Sequence, residues 1–237
     1  MTRINKYLAE QQYASRREAD LLIDSGKVYI NGKIAKLGDV VKEGDEVKVV
    51  GMEKSQKAYY AYYKPRGIVT VNAQYKDEKE IKDVTKFPEK VYPLGRLDKE
   101  SEGLIILTND GRLTDALLNP KRQHEKEYSV DVNEKLTNSH IQKLQHGINI
   151  GHVGTNKKYI TKPALVRKNS AQSFDIVLTE GKNRQIRRMC GALGLSVERL
   201  KRFRILHISL ENLKPGQFRK IEGKELETLL KVSKIEV

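Results

Sequence analysis

A single cysteine, Cys190, stands in 237 residues. That excludes a disulfide framework and a cysteine-based zinc site, and it points to a reducing, unexported setting. The five histidines (His124, His140, His146, His152 and His207) form no H-x-x-x-H pair, so the helical spacing of a metal-ligand set is missing. No apolar run approaches the roughly 18 residues of a membrane span. The opening residues Met1-Thr2-Arg3-Ile4-Asn5-Lys6 lack the apolar centre of a signal peptide. The Gly-Lys pairs at 26–27, 32–33, 181–182 and 223–224 lack the upstream glycine of a Walker A loop, and no G-x-G-x-x-G occurs. Nucleotide-driven and NAD-type chemistry are therefore poorly supported.

Negative charge is the other shortage. There are 45 Lys and Arg against 31 Asp and Glu, a net of +14. An enzyme of small neutral metabolites has no need of that excess. A polyanionic partner does, because each neutralised phosphate releases counterions and adds affinity. The apolar share is 38%, and 17 glycines bring it to the low edge of an ordinary globular protein. The length suits one large domain or two modest ones.

Residues 1–50 read as a small unit. Ile4, Tyr7 and Leu8 have helical spacing, and Ser15-Arg16-Arg17-Glu18 is a capping box that opens a second helix with Ala19, Leu22 and Ile23 as its apolar stripe. Gly26 stops that helix, Val28-Tyr29-Ile30 is a short strand, and Asn31-Gly32 is a hairpin turn. Val40-Val41 and Val47 to Val50 are further strands, with Glu43-Gly44-Asp45 as the turn between them. Residues 51–58 are polar and aperiodic, a linker. Residues 59–237 form a larger domain that begins with Tyr59-Tyr60-Ala61-Tyr62-Tyr63. This run reads as a core strand with one face buried, in preference to a base-stacking platform, and Pro65 ends its ladder. Strands at Leu104–Thr108, Lys126–Val132, Ser173–Leu178 and Ile205–Leu210 intermix with helices at Arg112–Leu118, Gln185–Leu193 and Glu225–Leu230. No βαβ regularity appears, so the expected class is α+β on a mixed, largely antiparallel sheet.

Two basic foci stand out. Arg16 and Arg17 occupy the first turn of a helix, where cations oppose the macrodipole at about 0.3–1 kcal/mol each. With the free N–H groups of that turn they make a phosphate site, and Arg3 and Lys6 on the preceding helix could reach the same backbone. Residues 180–204 hold eight Lys or Arg against two Glu. There Arg184, Arg187 and Arg188 share one helix face beside the apolar stripe Ile186, Met189, Cys190 and Leu193, again at the wrong end for the dipole. A phosphate backbone or a buried carboxylate would compensate them. Asp98, between Arg96 and Lys99 and flanked by Gly95 and Gly103, reads by pattern alone as a turn former. Residue pattern thus yields a basic, RNA-binding, two-domain protein and no reaction.

The string Gly95-Arg96-Leu97-Asp98-Lys99-Glu100-Ser101-Glu102-Gly103-Leu104, followed by Leu107-Thr108-Asn109-Asp110-Gly111, closely resembles the signature of RNA pseudouridine synthases of the RsuA/RluF type. Residues 1–50 resemble an S4 RNA-binding domain. Lys64-Pro65-Arg66-Gly67, Lys126-Glu127-Tyr128 and Asn183-Arg184-Gln185-Ile186-Arg187-Arg188-Met189 resemble the family's other motifs, in order. His124-Glu125-Lys126-Glu127-Tyr128 is most similar to the RluF branch, which modifies large-subunit rRNA.

The resemblance implies isomerisation of uridine to pseudouridine without a cofactor. Asp98 would be the essential carboxylate, attacking the sugar or acting as a base at that carbon. Arg187 would pair with it, Tyr128 would stack under the flipped base, and Arg96 would wedge into the vacated stack. Lys64, Arg184, Arg188 and the first-unit residues Arg3, Lys6, Arg16 and Arg17 would hold phosphates. The expected partner is large-subunit rRNA or an assembly intermediate, met by a cytoplasmic monomer with no membrane contact. A non-enzymatic assembly protein is the rival reading. A glycoside hydrolase using Asp98 with Glu100 or Glu102 is disfavoured, because those glutamates are expected in an exposed loop with nothing to position them. A deaminase is excluded by the absent H-x-E and C-x-x-C pair.

Overall fold

The structure, a computed structural model, describes residues 1–151 and 158–235. The first unit comprises β1 (Thr2–Arg3), α1 (Ile4–Glu10), α2 (Arg16–Asp24), β2 (Val28–Ile30), β3 (Lys33–Ile34), β4 (Val40–Val41) and β5 (Val47–Val49). The Ser15 hydroxyl accepts from the Glu18 N–H at 3.4 Å, and the Glu18 carboxylate accepts from the Ser15 N–H at 3.0 Å. This is the reciprocal cap the sequence predicts. Ile4, Leu8, Ala19, Ile23, Val28, Ala35, Val41 and Val49 form the unit's core. Two expectations change. β4 does not form a hairpin with β5 but pairs antiparallel with β1, a strand too short to show in the sequence. Arg3 lies in β1 and caps α1 with its backbone instead of riding on the helix.

Residues 51–57 are exposed and carry no regular structure. They are tacked to both sides: Ser55 N–H donates to the Gln12 carbonyl at 2.9 Å, and the Asn109 side-chain amide donates to the Gln56 carbonyl at 2.8 Å. Lys90 of the second unit also pairs with Glu18, whose carboxyl falls to about 2 through its hydrogen bonds with Lys90 and Ser15.

The second unit runs β6 (Tyr59–Lys64), α3 (Ile81–Val84), β7 (Tyr92–Leu94), β8 (Glu102–Thr108), α4 (Arg112–Leu118), β9 (Lys126–Val132), α5 (Asn138–His146), β10 (Leu165–Lys168), β11 (Ser173–Leu178), α6 (Gln185–Gly191), β12 (Val197–Ile205), β13 (Ile208–Ser209), β14 (Phe218–Lys220) and α7 (Gly223–Val232). One sheet takes the order β10-β11-β9-β12-β8-β6-β14, with β13 on β12 and β7 on β8. Every pairing in it is antiparallel except β12 with β8. The class is α+β, as the sequence suggests.

The tyrosine run is buried on both faces of β6, not one. Tyr60 and Tyr62 join the core beneath α5 and α6, while Tyr59, Ala61 and Tyr63 join the core beneath α4 and α7. Period-two alternation thus puts aromatics into two separate cores, with Tyr60 edge-on to Phe218 at 5.1 Å between ring centroids. β12 is longer than the strand expected at 205–210, and its path turns away at Leu206. Glu198, Arg199, Lys201, Arg202 and Arg204 masked its alternation. Among the described residues, no helix is long and apolar enough to cross a membrane.

Candidate active site

Asp98 sits in the loop between β7 and β8, and that loop is held from four directions. Leu97 is its apolar anchor in the core. The Thr70 hydroxyl, almost fully buried, donates to the Leu97 carbonyl at 2.8 Å and accepts its N–H at 3.1 Å. Gly67 N–H donates to the Lys99 carbonyl at 2.7 Å, and Ser101 N–H closes a turn on the Asp98 carbonyl at 3.0 Å. Gly95 enters the loop at φ +81°, a conformation that favours glycine. The loop leaves the Asp98 side chain one-third exposed at the mouth of a cleft.

The cleft has a volume of about 340 Å³, within the range of small-ligand sites. Asp98 and Arg96 stand on one wall and residues 179–186 on the other, with Tyr128, Lys126 and Arg202 on the strands below. Two of these floor residues belong to a single row across four strands: Lys64 faces Gly103, Gly103 faces Arg202, and Arg202 faces Tyr128. Gly103 has φ +115°, and a Cβ there would lie 2.1 Å from the Arg202 carbonyl oxygen. Only glycine allows β8 and β12 to come this close.

Among the described residues, the cation paired with the Asp98 carboxylate is Arg184, at 3.9 Å. Its backbone adopts the left-handed conformation at the start of α6, φ +48°, and its guanidinium also pairs with Glu100 at 3.0 Å. Arg187 reaches the same loop by its backbone: Nη2 donates to the Glu100 carbonyl at 3.3 Å and Nη1 to the Val197 carbonyl at 3.2 Å. Burial, and then Arg184 beside it, hold the Arg187 pKa below the ordinary arginine value. The two arginines thus divide the labour expected of one. Arg184 faces the carboxylate, and Arg187 pins the loop that presents it.

Comparison with known proteins gives the family. Residues 58–192 match the family model described as RNA pseudouridylate synthase, and residues 2–47 match the S4 domain. The chain is 41% identical over 235 residues to the dual-specificity RNA pseudouridine synthase RluF of Escherichia coli (strain K12), covering 97% of this chain and 79% of that protein. It is 35% identical over 233 residues to ribosomal large subunit pseudouridine synthase B of Bacillus subtilis (strain 168), covering 97% and 96%. A solved crystal structure of a pseudouridylate synthase matches with a TM-score of 0.69 and 29% identity, over 97% of this chain and all of that one. The chain belongs to the RNA pseudouridine synthase family.

This synthase isomerises uridine to pseudouridine in RNA, and its remaining basic residues fall into two groups. Arg96 is exposed at the cleft wall and makes no hydrogen bond or ion pair among the described residues. Arg3, Lys6, Arg16 and Arg17 are exposed on the S4 domain, Lys6 in a 3.5 Å pair with Glu10. Lys64 and Arg188, expected at phosphates, are committed inside the protein. Lys64 is fully buried, because β6 is a central strand; its ammonium donates to the carbonyls of Pro65 at 2.9 Å and Ile68 at 2.6 Å. Burial pushes its pKa down to about 8, against the pull of Asp98 and Glu102. Arg188 is half-buried and donates to the Ile150, Gly151 and Asn183 carbonyls.

Glu102 is also not as expected. It is buried on β8, accepts the Tyr63 hydroxyl at 2.8 Å and pairs with Arg199. Neither partner lines the cleft. That keeps it out of a carboxylate pair with Asp98. Sequence reasoning passed over Thr70, Lys126 and Arg202. For Arg202 a signal existed: its spacing from Leu200 places both on one strand face.

Proposed function

We propose that the synthase modifies uridine in large-subunit ribosomal RNA, in the cytoplasm and as a monomer, with Asp98 as the essential carboxylate. One observation carries this reading: a rigidly braced loop holds a single aspartate, faced by a guanidinium, at the mouth of a cleft whose floor carries a tyrosine. The names of the RluF and large-subunit relatives support the ribosomal substrate. The target base leaves its stack at a cost of a few kcal/mol, least in an unpaired loop. Arg96 fills the vacancy it leaves. The base lies on the Tyr128 ring and its ribose C1′ meets the Asp98 carboxylate, which Arg184 faces at 3.9 Å. The S4 residues Arg3, Lys6, Arg16 and Arg17 hold backbone phosphates, fixing position more than sequence.

Release of tritium from C5-labelled uridine in rRNA lacking the modification tests the proposal. Wild type releases tritium and Asp98→Asn does not, while both bind the RNA alike. No release from free rRNA or assembly intermediates, with binding intact, favours a non-catalytic assembly factor. Release by Asp98→Asn at the wild-type rate removes Asp98 from the chemistry.

A further inference from the structure

Under the cleft lie cations where a sheet ordinarily buries apolar side chains. Arg202 is 4% exposed and sits on β12 between Gly103 and Tyr128. Its Nε donates to the Leu104 carbonyl at 2.7 Å. Its Nη2 is buried with no hydrogen-bond partner among the described residues. A buried guanidinium donor without an acceptor is costly, and native proteins seldom tolerate one without use. Lys126 lines the same floor, on the face of β9 that carries Tyr128. Its ammonium donates to the His124 carbonyl at 3.1 Å, which leaves further hydrogens unassigned. Burial, and then Arg202, push its pKa down to about 8.

The missing acceptor belongs to the ligand. In that reading the phosphates meet the S4-domain cations, Arg96 enters the vacated stack and Arg184 faces Asp98. What reaches the floor beside Tyr128 is the extruded base. We propose that Arg202 recognises that base, donating from Nη2 to a ring carbonyl oxygen of uracil, with Lys126 as a second donor. This rests on the reading above, in which uracil lies on Tyr128.

The chemistry of the turn explains why such a donor suits this reaction. The far edge of uracil reads O2 acceptor, N3–H donor, O4 acceptor. Rotation about the N3–C6 axis exchanges O2 with O4 and N1 with C5, and the edge reads the same afterwards. One fixed cation therefore holds the ring before and after it turns. When the N1–C1′ bond breaks, its electron pair stays on the ring and spreads onto O2 and O4, leaving C1′ electron-poor beside Asp98. A preorganised cation at those oxygens lowers the energy of that state. C5 then bonds to C1′ with an electron pair of the ring, C5 loses its proton and N1 gains one. Cytosine places an amino donor where O4 stands, so it would set donor against donor and be rejected.

The test uses RNA fragments spanning the mapped site, with 5-tritiated uridine, 2-thiouridine or 4-thiouridine at the target. Single-turnover tritium release and RNA Kd are measured for wild type, Arg202→Met and Arg202→Lys. Sulfur is the weaker acceptor, and at one or both ring positions it slows wild type about tenfold. Arg202→Met slows the uridine substrate by a similar factor, keeps Kd within about twofold and loses its sensitivity to sulfur. Arg202→Lys, which keeps a cation, recovers part of the rate. Equal sulfur effects in wild type and Arg202→Met overturn the proposal. So does a wild-type rate indifferent to sulfur at both positions, a result that needs no variant to fold. Failure of wild type to release tritium from the unsubstituted RNA overturns the isomerase reading instead.

Discussion

Gly103→Ala probes the joint on which the cleft floor depends. The residue's φ of +115° suits glycine, and holding alanine there costs about 1–3 kcal/mol. The new Cβ would lie 2.1 Å from the Arg202 carbonyl oxygen and 2.7 Å from its nitrogen. Both are backbone atoms of a central strand, and no flexible side chain can move aside for them. Restoring an ordinary carbon–oxygen contact of about 3.3 Å requires β12 to retreat by about 1 Å. The parallel pairing of Lys201 with Glu102 and of Arg202 with Gly103 is then weakened, at about 0.5–1.5 kcal/mol for each hydrogen bond. Together these amount to about 2–6 kcal/mol. A chain of this size loses about 2–4 °C of Tm per kcal/mol, so the catalytic domain should melt about 4–24 °C lower. Differential scanning calorimetry reads this directly, with circular dichroism at low temperature to establish that the variant folds. A fall of less than about 3 °C would refute the reasoning, because it would mean that the β8–β12 joint accepts a side chain.

Arg187→Ala should lower the rate of tritium release by tenfold or more, with RNA Kd changed about twofold or less, since its bonds brace the Asp98 loop and not the RNA; an effect confined to Kd would contradict that bracing. Arg16→Ala with Arg17→Ala should do the reverse, weakening RNA binding and flattening the plot of log K against log salt by about one or two units of slope. A slope equal to wild type would take both residues off the phosphates. Burial pushes the Lys64 pKa down to about 8 in the folded protein, below the ordinary lysine value of about 10.4. Between these values the unfolded chain holds the extra proton, so this lysine makes stability rise with pH. Lys64→Met should remove about 1–3 kcal/mol of the rise between pH 8 and pH 10, read from denaturant midpoints, leaving the share due to Lys126, and an unchanged rise would mean that the Lys64 ammonium is solvated.

What the sequence made legible follows from locality. The capping box at Ser15 and Glu18, the helix from Arg112 to Leu118 and the strands Lys126–Val132 and Ser173–Leu178 are specified by neighbours within a few residues, and each is found where its pattern predicts. β1 is two residues long and exists only through β4, so it has no local signature, while Val40-Val41 marked β4 but not its partner. β12 carries five charged residues because its partners supply what its own pattern lacks: Glu102 for Arg199, Glu125 and Glu127 for Arg204, and the Leu104 carbonyl for Arg202. The site divides in the same way. Motifs located Asp98, Tyr128 and the α6 arginines, but which arginine faces the carboxylate depends on the left-handed turn at Arg184. Lys64 shows the same limit from the other side: a lysine next to Pro-Arg-Gly reads as surface, and only the sheet order makes it interior.

The position of β12 also sets when the enzyme comes into being during its own synthesis. Strands through β11 leave the ribosome as two fragments, one with β6, β7 and β8 and the other with β9, β10 and β11, and no ladder joins them. Asp98 travels with the first fragment and Tyr128 with the second. β12 closes the gap by pairing with β8 on one side and β9 on the other. A nascent or prematurely ended chain can thus carry a finished S4 domain and every residue of the signature around Asp98, yet have no cleft. Grip on RNA is acquired before chemistry, because the last central strand to be made is the one that holds the two halves together.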